Sequence, residues 1–363
     1  MKNPLEETIY KQRTRERKED VRGAFFRDQT AIIHSLPFRR LKHKTQVFFS
    51  PENDHVCTRI EHVMHVATIA ATICKGLNKS GWLLDGEMAF AIGLAHDLGH
   101  APFGHAGETA LNAVLKDSEF IHEINSYRVV EYLAGLNLTY GVKDGVICHN
   151  GELFEQRLEP QNTINDLDKI RDRNCIPSSF EGCIVRFSDK LAYLGRDIED
   201  AVSAGLITHN DIPVDIRKEL GCDNGEIINN LVIDIINSSK KSNKIELSDD
   251  KFELLVKLKD FNYDKIYNHE KMLCYIDYSK KVVEVLFEYL INKYVKYGND
   301  FTAYSNSTME LDHWFGEFLV KMSPLYKKEK TKAEKIIVDY ISGMTDSHAL
   351  KCVKTIIIPT PII

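Results

Sequence analysis

The chain has 363 residues, 43% apolar and 28% charged, enough for one large core or two modest ones and balanced like an ordinary globular protein. No run of roughly 18 apolar residues is present to span a bilayer, and the opening MKNPLEETIYKQRTRERKED has no apolar signal-peptide core, so a cytoplasmic protein with no membrane association is expected. The formal charge of −6 argues against nucleic acid as the primary partner.

Eight cysteines are scattered with no C-x-x-C pair. That fits reduced thiols better than a disulfide framework or a zinc ribbon, so any metal must sit on nitrogen and oxygen ligands. Charge is uneven along the chain: between Lys11 and Lys44 there are eleven Lys/Arg against four Asp/Glu, a stretch able to attract a polyphosphate.

Apolar residues at Val63, Val66, Ala67, Ala70, Ile73, Cys74 and Leu77 predict a helix over 61–77 with one buried face, and His62 stands at the edge of that stripe. Residues 88–95 are apolar all round, as in a helix buried within a bundle, and they deliver His96 and Asp97 at their end. Pro102 with Gly99, Gly104 and Gly107 then predicts an irregular loop, and a new helix is expected over 108–115. Over 182–201 a further helix is predicted, with Asp189, Tyr193 and Asp197 in one polar line at i, i+4 and i+8. The Asn-, Ser- and Lys-rich stretch 224–250 reads as a boundary or surface excursion. The tail TIIIPTPII is interrupted by Pro359 and Pro361 and supplies at most an edge strand or an oligomer contact.

The segment LAHDLGHAPFGH, 94–105, concentrates the chemistry. Adjacent helical residues point about 100° apart, so His96 and Asp97 converge only on an ion close over the helix end, and two more ligands must come from elsewhere. His62 and Asp189 have the right type and placement. Two imidazoles and two carboxylates leave two octahedral positions open and suit Mn, Fe, Co, Zn or Mg.

The order His62, His96-Asp97, Asp189 resembles the HD-domain metal phosphohydrolases. More specifically, FRRLKHKTQVF (38–48), TRIEHVMHV (58–66), AHDLGHAPFGHAGE (95–108), FIHEINSYRVV (120–130), RFSDKLAYLGRDIED (186–200) and YISGMTD (340–346) are similar, in order and spacing, to deoxynucleoside-triphosphate triphosphohydrolases of the dGTPase type. The resemblance covers most of residues 10–205 and thins beyond. It implies an all-α fold: an HD-domain helical bundle with additional C-terminal helices. Residues 1–215 would form the catalytic core with a nucleotide-contacting N-terminal segment (HD part about 55–205), and 216–363 a mostly helical region packing on it.

The implied reaction is metal-dependent hydrolysis of deoxynucleoside triphosphates at the α-phosphorus, releasing deoxynucleoside and inorganic triphosphate. Mn2+ is the foremost metal, with Mg2+, Co2+, Fe2+ or Zn2+ as alternatives, on His62, His96, Asp97 and Asp189. Arg59 would contact the phosphate or stack near the base, Lys190 would hold the phosphate chain, and His105 with Glu108 would form a proton-transfer pair. His100 and His122 would line the triphosphate path; which histidine donates the proton stays open. Gln46, Tyr193 and Asp197 would surround the deoxyribose, the tyrosine ring filling the space of a 2′-hydroxyl. Glu123 stands where many such relatives carry asparagine. The resemblance further implies a homo-oligomer, hexamer or tetramer, and activation by a deoxynucleoside triphosphate at a second site, for which the basic stretch with Arg13, Arg15 and Arg17 is the candidate. The alternatives are an HD phosphohydrolase acting on another nucleotide (a 5′-nucleotide, an alarmone or a cyclic dinucleotide) and a non-enzymatic nucleotide-sensing subunit.

Overall fold

The computed structural model describes residues 1–18, 20–48, 56–150 and 154–358. Among them seventeen α-helices accompany one two-stranded sheet, and the expected all-α class holds. The N-terminal part comprises α1 (Glu7–Tyr10), α2 (Gly23–Ile33), α3 (Leu36–Arg40), α4 (Arg59–Asn78), α5 (Gly86–Ala95), α6 (Gly104–Val114), α7 (His122–Arg128), α8 (Tyr140–Ile147) and α9 (Phe180–Ser203). After these come α10 (Val214–Glu219), α11 (Asn224–Ser239), α12 (Asp249–Asn262), α13 (Glu270–Tyr297), α14 (Phe301–Ser305), α15 (Glu310–Glu329), α16 (Ala333–Ser342) and α17 (Asp346–Ile357).

The apolar stripe of α4 is buried throughout, from Val63 to Leu77, and packs on α5 and α9. Its start is set by Glu61, whose carboxylate folds back to accept from the Thr58 N–H at 2.7 Å, an arrangement that satisfies a donor the first turn leaves open. Helix α5 is apolar on every side because it is enclosed on every side: Met88, Ala89, Ala91, Ile92, Leu94 and Ala95 are all buried. Gly93 lets α5 lie directly on α4, since a Cβ there would fall 2.6 Å from Ala67 Cα. This close approach brings the end of α5 beside His62.

Four expectations are corrected. Helix α6 begins at Gly104 rather than at 108, because Phe103 (φ 66°) and Gly104 (φ 61°) turn the chain through the left-handed region and the helix starts at once. Gly107 is no breaker: a Cβ on it would meet Pro102 O at 1.7 Å, so the residue is required by packing inside the first turn. The stretch 224–250 is no excursion either, since α11 buries Ile227, Leu231, Val232 and Ile235 against α9; its polar residues cover the outer face. Finally, Thr355–Ile357 continue α17 as helix rather than strand, while Pro359 and Pro361 lie outside the described residues.

Among the described residues two large apolar cores result, beside a small cluster of Tyr127, Ile147, Cys148 and Leu167. The larger runs from Tyr10 through Ile266, so residues 216–266 pack with the helices before 215. The second is built by α13 and α15 to α17 around α6, from Ala101 and Phe103 to Cys352. A short antiparallel pairing, Arg157–Leu158 with Ile245–Glu246, ties the segment after α8 to the entry of α12.

Gly93→Val tests the α4–α5 contact. With the backbone of Ala67 in the way, overpacking should cost about 1–3 kcal/mol in urea unfolding; an unchanged midpoint would show that the helices have room to part.

Candidate metal centre and its cavity

His62 projects from the first turn of α4, His96 and Asp97 follow the last turn of α5, and Asp189 lies midway along α9. Their polar atoms meet. His62 Nε2 is 3.0 Å from Asp189 Oδ1 and 3.9 Å from Asp97 Oδ2, and His96 Nε2 is 3.7 Å from each of those oxygens. A cation with bonds of about 2.1 Å spaces neighbouring octahedral donors by about 3.0 Å and tetrahedral ones by about 3.4 Å; the donor atoms of His62, His96 and Asp189 all lie within 4.8 Å of one another, a group of the size for one ion, with Asp97 Oδ2 within 3.9 Å of both histidines.

The donor chemistry also fits. His96 Nδ1 lies 2.7 Å from the Gly93 carbonyl, which fixes Nδ1 as the donor and leaves Nε2 as a lone pair aimed at the cluster. That Nε2 is buried and takes no hydrogen bond. Burial opposes charge on Asp97, yet Arg59 and then His96 hold its carboxyl well below the usual carboxylate range. Asp189 is likewise held down against burial by the neighbouring His62 and His96. Burial pulls His96 down, but Asp97 and Asp189 more than compensate and raise it. Fields that hold a proton here would hold a divalent cation in its place.

Behind the quartet stands a layer of ionisable groups. Glu108 Oε2 accepts from His122 Nδ1 at 2.8 Å and lies 3.6 Å from His105 Nδ1, so the carboxylate serves His122 first and the expected His105–Glu108 pairing second. His122 is pushed up to about 10: burial lowers it, and Glu123 and Glu108 outweigh burial. His100 stacks on His122 at 4.4 Å, and burial with the nearby Arg59 drives it well below the ordinary histidine range. Both of its ring nitrogens are buried and take no hydrogen bond. Two participants were not found in the sequence. Arg173 joins Glu108 Oε1 and Glu123 Oε1, each at 2.9 Å, and His149 sits with Nε2 3.3 Å from His122 Nε2.

His62, Asp97 and Asp189 floor a cavity of about 410 Å3, whose lining does not include His96, within the usual range for small-molecule sites. Gln46, Tyr193 and Asp197 line its wall. Gln46 Oε1 is buried with no hydrogen-bond partner. Asp197, raised by burial to about 8, accepts from the Tyr267 hydroxyl. Tyr263 and Tyr267 reach the cavity from a π-helical turn, Tyr263–Tyr267, and Tyr275 reaches it from α13; no motif in the sequence marked them.

Two expected phosphate contacts are otherwise engaged. Arg59 is buried and pairs with Asp97, while Nε and Nη2 donate to the carbonyls of Thr45 and Gln46. It lines the cavity, but as a brace between Asp97 and the Gln46 loop. Lys190 is not among the lining residues. Its ammonium donates to Arg186 O at 3.1 Å and lies against the rings of Phe154 and Phe187, with burial lowering it to about 7. In the basic N-terminal stretch, Arg13 binds Asp28 at 2.6 Å and Arg15 donates to Gly135 O; Arg17 faces Arg27, Arg13 and Arg22.

The second core grips this site. Asp346, at the first turn of α17, accepts from the backbone N–H of Thr45 and of Phe103, both at 2.8 Å. Lys44 donates to the carbonyls of His100 and Ser342 at 2.5 and 2.7 Å.

An HD domain family model matches residues 59–194, and a phosphohydrolase-associated domain model matches 245–355. Curated relatives align over nearly the whole chain. A protein of Caldanaerobacter subterraneus is 37% identical over 350 residues, covering 95% of this chain and 88% of its own length. One from Clostridium tetani is 34% identical over 358 residues, covering 96% and 90%, and one from Desulfatibacillum aliphaticivorans is 33% identical over 350 residues, covering 94% and 90%. Each carries the name deoxyguanosinetriphosphate triphosphohydrolase-like protein. Among the described residues no helix is long and apolar enough to cross a membrane.

Arg59→Met probes the brace. Removing one partner of a buried ion pair costs about 3–5 kcal/mol, and the full loss is expected in EDTA. Saturating Mn2+ should recover part of it by neutralising Asp97; equal losses with and without Mn2+ in urea unfolding would show that Asp97 is not a ligand.

Proposed function

The chain belongs to the deoxyguanosinetriphosphate triphosphohydrolase-like family of HD-domain phosphohydrolases, and from that premise we propose that it hydrolyses deoxynucleoside triphosphates to deoxynucleoside and inorganic triphosphate, by water attack at the α-phosphorus. The observation that carries this reading is that His62, Asp97 and Asp189, with His96 beside them, and Gln46, Tyr193 and Asp197 line a single cavity.

His62, His96, Asp97 and Asp189 would hold the divalent cation, with Mn2+ the proposed ion, and its chemistry is Lewis-acid polarisation of a phosphoryl oxygen. The rest falls to side chains. Arg59 keeps Asp97 ionised and oriented. His105, whose side chain is 55% exposed, opens to the cavity and donates the proton to the departing 5′-oxygen, with Glu108 steering it. His100 and His122 flank the triphosphate. Gln46 Oε1 accepts from the sugar 3′-hydroxyl, which relieves its unpaired burial, and Asp197, held by Tyr267, bonds the same edge. The Tyr193 ring occupies the volume a 2′-hydroxyl needs. Cytoplasmic location, assembly as a homo-oligomer and activation by a second nucleotide at the basic stretch complete the proposal; of the three arginines there, Arg17 is the one to substitute, since Arg13 and Arg15 have internal partners.

Incubation with Mn2+ and each deoxynucleoside triphosphate should yield deoxynucleoside and intact triphosphate by phosphorus NMR. Release of pyrophosphate or single phosphates would contradict the reading. Tyr193→Ala should raise cleavage of ribonucleotides relative to deoxyribonucleotides roughly tenfold or more; unchanged discrimination would favour an HD phosphohydrolase of another nucleotide class.

A further inference from the structure

A further cavity, of about 770 Å3, shares the Lys44–Gln46 segment with the one described above: Gln46 lines the first and Lys44 the other. Lys44 is extended (φ −117°, ψ 131°), and alternate residues of an extended chain point opposite ways. Helix α15 turns Trp314, Glu317, Phe318 and Lys321 to this cavity, at the i, i+3, i+4, i+7 spacing of one helical face. Tyr340 of α16 and His348 of α17 complete an aromatic wall, with the Trp314 and His348 rings 5.0 Å apart and the Phe318 and Tyr340 rings 5.0 Å apart. Much of the remaining lining is apolar, including Leu98, Val129 and Leu133.

The charges facing this space do not balance. Arg40, at the end of α3, makes no hydrogen bond or ion pair among the described residues. Its Nη1 lies against the end of α16, where a Cβ on Gly343 would fall 3.2 Å away. Burial lowers it, and Tyr340 offsets that only in part. Asp339 is already neutralised by Arg128 at 2.8 Å and Lys335 at 3.2 Å, Lys44 is bound to the carbonyls of His100 and Ser342, and burial with Arg40 and Lys351 holds His348 below the ordinary histidine range. What remains is Arg40 and Lys321 against Glu317, one net positive charge. A partly buried guanidinium without a counter-ion is costly, and an acidic group would bind it with charge-assisted hydrogen bonds. A triphosphate carries more charge than this site neutralises; the rings suit a flat apolar body.

We propose that this cavity is an effector site for a small organic anion, a flat apolar body bearing one acidic group, with the acid on Arg40 and Lys321 and the body against Trp314, Phe318 and Tyr340. Its route to the catalytic cavity is short. Lys44 ties its wall to the His100 carbonyl, and Gly343, Met344 and Thr345, which line it, lead directly into Asp346, whose carboxylate holds the N–H groups of Thr45 and Phe103. The site does not depend on which reaction the enzyme performs, so its test reads binding rather than turnover.

The chain has two tryptophans. Trp314 lines the cavity and Trp82 is packed in the larger core, so fluorine NMR of the full chain labelled with 5-fluorotryptophan carries a reporter in the site and a control outside it, assigned with Trp82→Phe. Naphthalene-1-sulfonate should shift the Trp314 resonance saturably and leave that of Trp82 in place. The neutral naphthalene-1-sulfonamide should bind roughly tenfold or more weakly, as should the sulfonate to Arg40→Gln. Lys321→Gln, at an exposed position, should weaken the sulfonate severalfold and keeps the test intact if circular dichroism shows Arg40→Gln to be misfolded. Hydrogen exchange at the Thr45 and Phe103 amides should slow when the sulfonate is bound. No saturable shift at Trp314, equal affinity for sulfonate and sulfonamide, or wild-type affinity in the folded variants overturns the site; binding that leaves exchange at Thr45 and Phe103 unchanged overturns its effector role.

Discussion

A carboxylate shut away from water must have its charge answered, and in this molecule that carboxylate is Asp97. It is 3% exposed, it stays ionised against the pull of burial, and nearly every feature of the site can be traced to what neutralises it. Arg59 does so directly. His62 and His96 approach the same oxygen, and His122 approaches the other. Burying such charges singly would cost several kcal/mol each. Collecting them around one carboxylate turns a liability into a strong local field, of the kind that would hold a divalent cation.

The fold delivers these groups by close helix packing. Helix α5 can carry His96 and Asp97 to the middle of the molecule only because its side chains are apolar on every face, and it approaches α4 because Gly93 has no side chain to keep Ala67 away. The second core adds restraint. Asp346 and Lys44 are spent on backbone groups of the loops bearing Gln46, His100 and Phe103, so the C-terminal helices hold the cavity wall at the angle set by α4 and α5. Tyr267 and Tyr275 come from that later part of the chain and close the cavity.

Much of this was legible in the sequence because periodicity and packing agree there. The stripe of α4, the all-apolar α5 and the polar line Asp189, Tyr193, Asp197 each lie on regular helix, where spacing translates into direction. Legibility failed where direction depends on something other than period. Glycines 104 and 107 read as breakers, although one supports a left-handed turn and the other a close backbone contact. His149 follows the end of a short helix and Arg173 lies in a connecting segment; neither has a periodic neighbour to give it a face. Lys190 sits next to Asp189 in sequence, but 100° around the helix that step carries it between aromatic rings and away from the cavity.

The claim on which the account stands is that His62, His96, Asp97 and Asp189 share one divalent cation. A crystal grown with Mn2+ and measured on both sides of the manganese absorption edge tests it most directly. The account predicts an anomalous peak within about 2.3 Å of His62 Nε2, His96 Nε2 and one oxygen of each aspartate. Anomalous density confined to surface carboxylates, with those four side chains closed on one another as hydrogen-bonded ion pairs, would contradict it.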